Sequence, residues 1–158
     1  MSLLSQNDFF KMLNKGDQFS TELVISEDLG KKFGQLSGDL NPLHTSDDFA
    51  IKRGFNAKLC YGNILGCMVS KMVGMNLGSD DVMLISQKID FNHPVYNGNT
   101  ITLIGEVVNK SEAVRVVDIV LSFFNENKMK VASGRCQVKV FNINNRDPRN
   151  SHKVRNSI

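Results

Sequence analysis

The strongest hydrophobic signal in the chain lies in residues 61–77. Ile64, Leu65, Met68, Val69, Met72, Val73 and Leu77 cover most of a helical circumference, and Gly62, Gly66, Ser70 and Gly74 recur every fourth residue on the strip that remains. A helix that is apolar nearly all round must be buried. The strip of minimal side chains predicts that another backbone approaches it closely, at a cost in helix propensity that tertiary contacts have to offset. The second half of the chain then changes period. Residues 84–91, 100–108, 114–124 and 129–141 are rich in Val, Ile, Leu, Phe and Thr, and Thr100-Ile101-Thr102-Leu103 and Gln137-Val138-Lys139-Val140 alternate as strands do. Asn92-His93-Pro94, Asn97-Gly98-Asn99, Asn109-Lys110-Ser111-Glu112 and Asn125-Glu126-Asn127-Lys128 separate them with turn chemistry. Connections this short predict that successive strands are antiparallel neighbours.

Shorter elements precede the long helix. Ser5, Gln6, Asn7 and Asp8 open a helix that runs through Phe9, Phe10, Met12 and Leu13 to a stop at Gly16. Residues 18–26 read as a first strand. Ser26, Glu27 and Asp28 then cap a helix with Leu29, Phe33 and Leu36 on one face, ending at Gly38, and Ser46-Asp47-Asp48 starts another that ends at Gly54. Helical segments first and a run of strands afterwards predict an α+β fold, a curved antiparallel sheet wrapped around a central helix. Residues 1–141 form a single domain in this reading. Residues 142–158, polar, rich in Asn and Arg and without periodicity, form a mobile tail.

Composition narrows the function classes. The 158 residues, 41% hydrophobic and 22% charged, suit one globular domain with a single core. Part of the net charge of +3 sits in the tail, on Arg146, Arg149, Lys153 and Arg155. The body carries no basic stripe interleaved with aromatic residues, so a nucleic-acid partner is not expected. Three cysteines, Cys60, Cys67 and Cys136, are an odd number without Cys-x-x-Cys spacing. That argues against a disulfide framework and against a zinc site, and for a reducing setting. No basic flank followed by an apolar core opens the chain, and the apolar run at 62–77 is broken by Asn63, Lys71 and Asn76. Neither a secretory signal nor a membrane span is expected, and the cytoplasm is the predicted location.

Candidate chemistry concentrates between the helices. Ser37-Gly38-Asp39-Leu40-Asn41-Pro42-Leu43-His44 sets a carboxylate and an imidazole five residues apart. Pro42 disfavours helical geometry at Asn41, so the stretch reads as a rigid turn that is not regular helix. A rigid loop bearing one Asp and one His suits general acid–base chemistry, because both groups can be aimed at one point. The structural alternative is an Asp-Asn-Pro turn beside a solvated His. For Cys60 and Cys67 a core role outweighs a nucleophilic one, and His93 and His152 read as structural and solvated respectively.

The run from Phe33 to His44, followed by Ala50, resembles the signature of the (R)-specific enoyl-CoA hydratases, the MaoC-like dehydratases of the hot-dog superfamily. The likeness extends over about residues 16–141. It includes Gly16-Asp17, the Gly62 start of the long helix, and Phe91 followed by Pro94-Val95 and Gly98. It implies a hot-dog fold and reversible syn addition of water to a trans-2-enoyl thioester of CoA or acyl-carrier protein. It also implies a homodimer with the acyl site near the subunit interface. Asp39 and His44 would act on the catalytic water and the substrate α-carbon. The backbone N–H of Gly62 would bind the thioester oxygen, Ser70 would lie near the reacting group, and Asn41 would hold the loop. Many members carry His before that glycine, where this chain has Tyr61, a position at which the pocket could be reshaped. The reaction needs no metal or redox cofactor. The competing class is a non-catalytic acyl-thioester-binding or partner subunit of the same fold, favoured only by Tyr61. A hot-dog thioesterase is the alternative within enzymes.

Overall fold

The computed structural model describes residues 8–142. The element order is α1 (Phe9–Met12), β1 (Gln18–Val24), α2 (Glu27–Ser37), α3 (Pro42–Thr45), α4 (Asp47–Ile51), α5 (Asn63–Lys71), a π-helical turn (Met72–Asn76), β2 (Val82–Phe91), β3 (Thr100–Ser111), β4 (Val116–Phe124) and β5 (Lys130–Val140). One antiparallel sheet in the order β1-β3-β4-β5-β2 curves around α5, the hot-dog arrangement. The tail expected at 142–158 falls, after Asn142, outside the described residues, as do Ser5, Gln6 and Asn7 of the first helix cap. Asp8 caps α1 with its own side chain, accepting from the Phe10 N–H at 3.2 Å.

Alternation decides which face of each strand meets the helix. Ile101, Leu103 and Val107 of β3, Val117, Ile119, Leu121 and Phe123 of β4, and Val138 and Val140 of β5 are fully buried. Ile64, Leu65, Met68, Val69, Met72 and Val73 close the core from the helical side. Register shifts at Val107/Asn109 in β3 and Leu84/Ser86 in β2 are the irregularities that let a sheet of this size bend around a helix.

Four expectations need correction. The long helix is not α-helical throughout: it is wider from Met72 to Asn76, where the Leu77 N–H reaches back to the Met72 carbonyl. That extra residue turns Gly74 and Met75 outward while Met72, Val73 and Leu77 stay buried. Nor is the small-residue strip met by another backbone. A Cβ on Gly62 would touch the Phe91 ring at 2.8 Å and one on Gly66 would touch the Gln87 amide at 3.1 Å, while nothing lies within 4 Å of one on Gly74. The strip thus faces side chains of β2 at one end and open space at the other. Third, β2 and β3 are not neighbours, because residues 92–99 carry the chain across the sheet from the β2 edge to the far side of β4. Pairing follows the buried faces that match, and β2 finds its partner in β5. Fourth, His44 does stand in helix, a four-residue turn that Pro42 starts as its first residue, a position that needs no proline N–H.

Candidate active site

Three consecutive turns aim Asp39 and His44. Gly38 ends α2 at φ 71°, a left-handed conformation that glycine adopts without strain, and its N–H donates to the Gly34 carbonyl at 2.9 Å. The Asp39 N–H donates to Ser37 Oγ at 3.2 Å, and the Asn41 N–H donates to Asp39 Oδ1 at 3.0 Å. Asn41 then caps α3, its Oδ1 accepting from the Leu43 N–H at 2.9 Å. With Oδ1 occupied, Asp39 turns Oδ2 toward His44 Nε2, 4.0 Å away.

The imidazole is fixed from its other side. His44 Nδ1 lies 2.9 Å from the Leu59 carbonyl, which can only accept, so Nδ1 carries the proton and Nε2 is the nitrogen free to exchange one. The Leu59 N–H returns a bond to the Leu43 carbonyl at 2.8 Å, and the Cys60 N–H donates to the Val95 carbonyl at 2.7 Å. This strap delivers Tyr61 and Gly62 to the start of α5. The His44 side chain is 19% exposed and that of Asp39 48%, so the pair sits at a mouth rather than in a sealed core.

Two cavities adjoin at this point. The apolar one, of about 390 Å³, is walled by Phe55, Leu59, Cys60, Leu65 and Val95 with His93 and Pro94 at its edge. The more polar one, of about 290 Å³, is walled by Phe33, Ser37, Asp39 and Asn63. His44, Tyr61, Gly62 and Phe91 line both. Among the described residues no hydrogen bond is accepted from the Gly62 N–H, which belongs to the first turn of α5, where backbone donors have no partner within the helix. The helix dipole adds partial positive charge at the same place. Burial pushes the Cys60 thiol up to about 12, so it stays protonated at neutral pH and is no thiolate nucleophile. No group of three or more His, Cys, Asp or Glu side chains that could hold a metal ion occurs among the described residues.

Asp39, His44, Tyr61 and Gly62 are therefore brought together. Asn41 stands behind them as the cap of α3 and lines neither cavity. Ser70 is exposed on α5, two turns beyond Gly62, and lines neither cavity in the single chain. Sequence reasoning assigned no role to the Leu59 carbonyl, Phe33, Gly34 or Phe91. A carbonyl leaves no trace in residue type. Two glycines stand inside α2, each costing about 1 kcal/mol relative to alanine, and residue type does not separate Gly34, where a Cβ would meet the Tyr61 hydroxyl, from Gly30, where one would have nothing within 4 Å.

Comparison with known proteins bears on the family and the fold. The model of the MaoC like domain family matches residues 9–122. The (R)-specific enoyl-CoA hydratase of Rhodospirillum rubrum is 29% identical over 94 residues, which are 60% of this chain and 65% of that enzyme, so the chain spans just under two thirds of it. The mitochondrial 3-hydroxyacyl-[acyl-carrier-protein] dehydratase of Arabidopsis thaliana is 26% identical over 135 residues, 84% of this chain and 80% of that protein. Among solved structures, the (R)-hydratase from A. caviae superimposes with a TM-score of 0.77 at 24% identity, covering 82% of this chain and 98% of that one.

Proposed function

Because the chain belongs to the MaoC-like domain family, of hydratases and dehydratases among its named relatives, we propose that it adds water reversibly to a trans-2-enoyl thioester. The product is the (R)-3-hydroxyacyl thioester. One observation carries the reading: Asp39 Oδ2 and His44 Nε2 face each other at 4.0 Å beside the first turn of α5, where two cavities meet. A water between the two groups reaches both.

The chemistry follows from charge. Asp39 takes a proton from the water as its oxygen bonds to the β-carbon. Electron density moves through the conjugated system onto the thioester oxygen, at the Gly62 N–H and the positive end of the helix dipole. Asp39 passes that proton to His44 Nε2, which is bare while Nδ1 keeps its own proton against the Leu59 carbonyl, and Nε2 delivers it to the α-carbon from the same face. H and OH are added and both residues are restored, with no redox change. The apolar cavity, walled by Phe55, Leu59, Leu65 and Val95, suits the acyl chain. Relatives named for CoA and for acyl-carrier-protein substrates make either thioester a candidate.

Crotonyl-CoA mixed with the purified protein is expected to lose its conjugated enoyl-thioester absorbance. No change, with crotonyl-CoA or a longer enoyl chain, sinks the proposal.

A homodimer forms part of the same reading. Among the described residues β2 pairs with β5 alone, which leaves its other edge open, and Met83, Ile85 and Phe91 along it are 46%, 45% and 56% exposed. A second copy added along this edge covers all three. Light scattering at micromolar concentration is expected to give twice the 17.6 kDa chain mass, and the single mass alone refutes the dimer.

A further inference from the structure

We propose that Tyr61 is the positioning residue that holds Asp39 and His44 in register, and that α2 carries glycine at position 34 to make room for its hydroxyl. The inference rests on the hydratase reading of the site and adds to it a group that handles no proton of the reaction.

Tyr61 is 5% exposed and contacts both members of the pair in different ways. Its hydroxyl donates to the backbone carbonyl of Asp39 at 2.7 Å. Its ring stacks on the His44 imidazole with centroids 4.1 Å apart and planes 27° from parallel. Phe33 packs against the same ring at 5.1 Å. Burial, and then the negative charge of Asp39, hold the phenol above its ordinary pKa, so it remains a neutral O–H donor across the working range of an enzyme. One rigid side chain thus ties the main chain of the carboxylate loop to the plane of the imidazole. The loop's own bonds fix Asp39 relative to Asn41, and the Leu59 carbonyl fixes the rotation of His44. Asn41 joins these restraints through the backbone of α3, and Tyr61 adds a direct tie from the Asp39 main chain to the imidazole face.

Gly34 supplies the space. It lies inside α2, is buried, and does not adopt a left-handed backbone, so no conformational demand calls for glycine. A Cβ there would lie 2.6 Å from the Tyr61 hydroxyl oxygen but 3.4 Å from the ring carbon that bears it and 3.5 Å from the Asp39 carbonyl. The clash is with the hydroxyl alone. Glycine in a helix interior is worse than alanine by about 1 kcal/mol, and accommodating that one oxygen is the reason for it here.

The test is a double-mutant cycle with Tyr61→Phe, Gly34→Ala and both together, read by kinetics and by thermal melting. Tyr61→Phe keeps the stack and removes the tie. It is expected to lower kcat about tenfold while KM stays within about twofold, the pattern of misplaced reacting groups rather than lost binding. Gly34→Ala alone should lower kcat at least as much by driving the hydroxyl off. The double variant should return to the Tyr61→Phe rate and melt above Tyr61→Phe, because alanine then improves the helix at no steric expense. Wild-type kcat in Tyr61→Phe, or losses that simply add in the double variant, overturns the proposal. A readout free of turnover separates it from the functional reading. The His44 imidazole NMR signals should move in Tyr61→Phe, and unmoved signals reject positioning whatever the activity. A wild-type protein inert toward 2-enoyl thioesters instead rejects the hydratase reading.

Discussion

Replacing Asp39 or His44 by alanine is expected to lower turnover of a 2-enoyl thioester on the order of 100-fold or more in each case, with the fold retained, because each change removes a proton-handling group. The double variant should be little worse than either single one, since the two groups serve one water. Asp39→Asn sharpens the test. Its side-chain oxygen still accepts the Asn41 N–H that Asp39 Oδ1 holds at 3.0 Å, and Tyr61 binds the main-chain carbonyl, which no substitution alters. The loop therefore keeps its restraints while the carboxylate is gone, and a loss as large as that of Asp39→Ala assigns the effect to proton transfer. Steady-state rates with crotonyl-CoA, alongside melting curves, decide the matter. Two folded single variants with near wild-type turnover remove both residues from the mechanism.

The largest effect on stability is expected at Gly134, in β5. A Cβ there would lie 2.1 Å from the Lys88 carbonyl oxygen and 3.2 Å from the Ile89 Cα, both backbone atoms of β2. Backbone held in a ladder cannot step aside, so Gly134→Ala must push β2 off β5. A loss of about 3 kcal/mol or more, the upper end for overpacking, is expected. Gly105 in β3 is the comparison. Its added Cβ would meet Met72 Sδ at 2.7 Å, the far end of a flexible side chain, and Gly105→Ala should cost about 1 kcal/mol. Urea midpoints at unchanged m-value measure both. Equal losses at the two sites would show that β2 can slide after all. Because Phe91 ends β2 and lines both cavities, Gly134→Ala should also lower turnover.

What the chain disclosed on reading depended on which contacts leave a periodic trace. The buried α5 and the strand faces were legible because Ile64, Leu65, Met68 and Val69, or Val117, Ile119, Leu121 and Phe123, repeat at the period of their element. The Gly, Asn and Pro around Asp39 and His44 marked a rigid turn, and it was the resemblance carried by the run from Phe33 to His44 that set a functional pair above a solvated turn. The widening at Met72–Asn76 was not, since the apolar residues through Leu77 fit an α-helix nearly as well. The placement of β2 beside β5 was hidden as well. Strand order depends on which apolar faces meet across the whole sheet, and the Asn- and Gly-rich stretch at 92–99 reads the same for a hairpin as for a crossing. Gly62 and Gly66 read as a strip for a neighbouring backbone, whereas the fold sets the Phe91 and Gln87 side chains there. Gly34 shows how far residue type goes: it shares α2 with Gly30, and of the two it alone meets another side chain, the Tyr61 hydroxyl.

The strand order also has a consequence for the chain as it is made. Synthesis proceeds from β1 toward β5, yet β2, completed at Phe91, has as its one strand partner among the described residues β5, which begins at Lys130. While the intervening residues are still being added, β2 has no strand to pair with on either side, and the wall that Phe91 gives both cavities rests on the start of α5 without a strand beside it. β3 and β4 can zip onto β1 during this interval, but the last strand has to enter between β4 and β2, in the interior of the sheet rather than at its rim. A nascent chain stalled short of residue 130 exposes an apolar β2 and lacks a finished site, however well its first half has collapsed. On this order the β2 wall of the candidate site is expected to gain its strand partner last, when β5 leaves the ribosome and pairs with it.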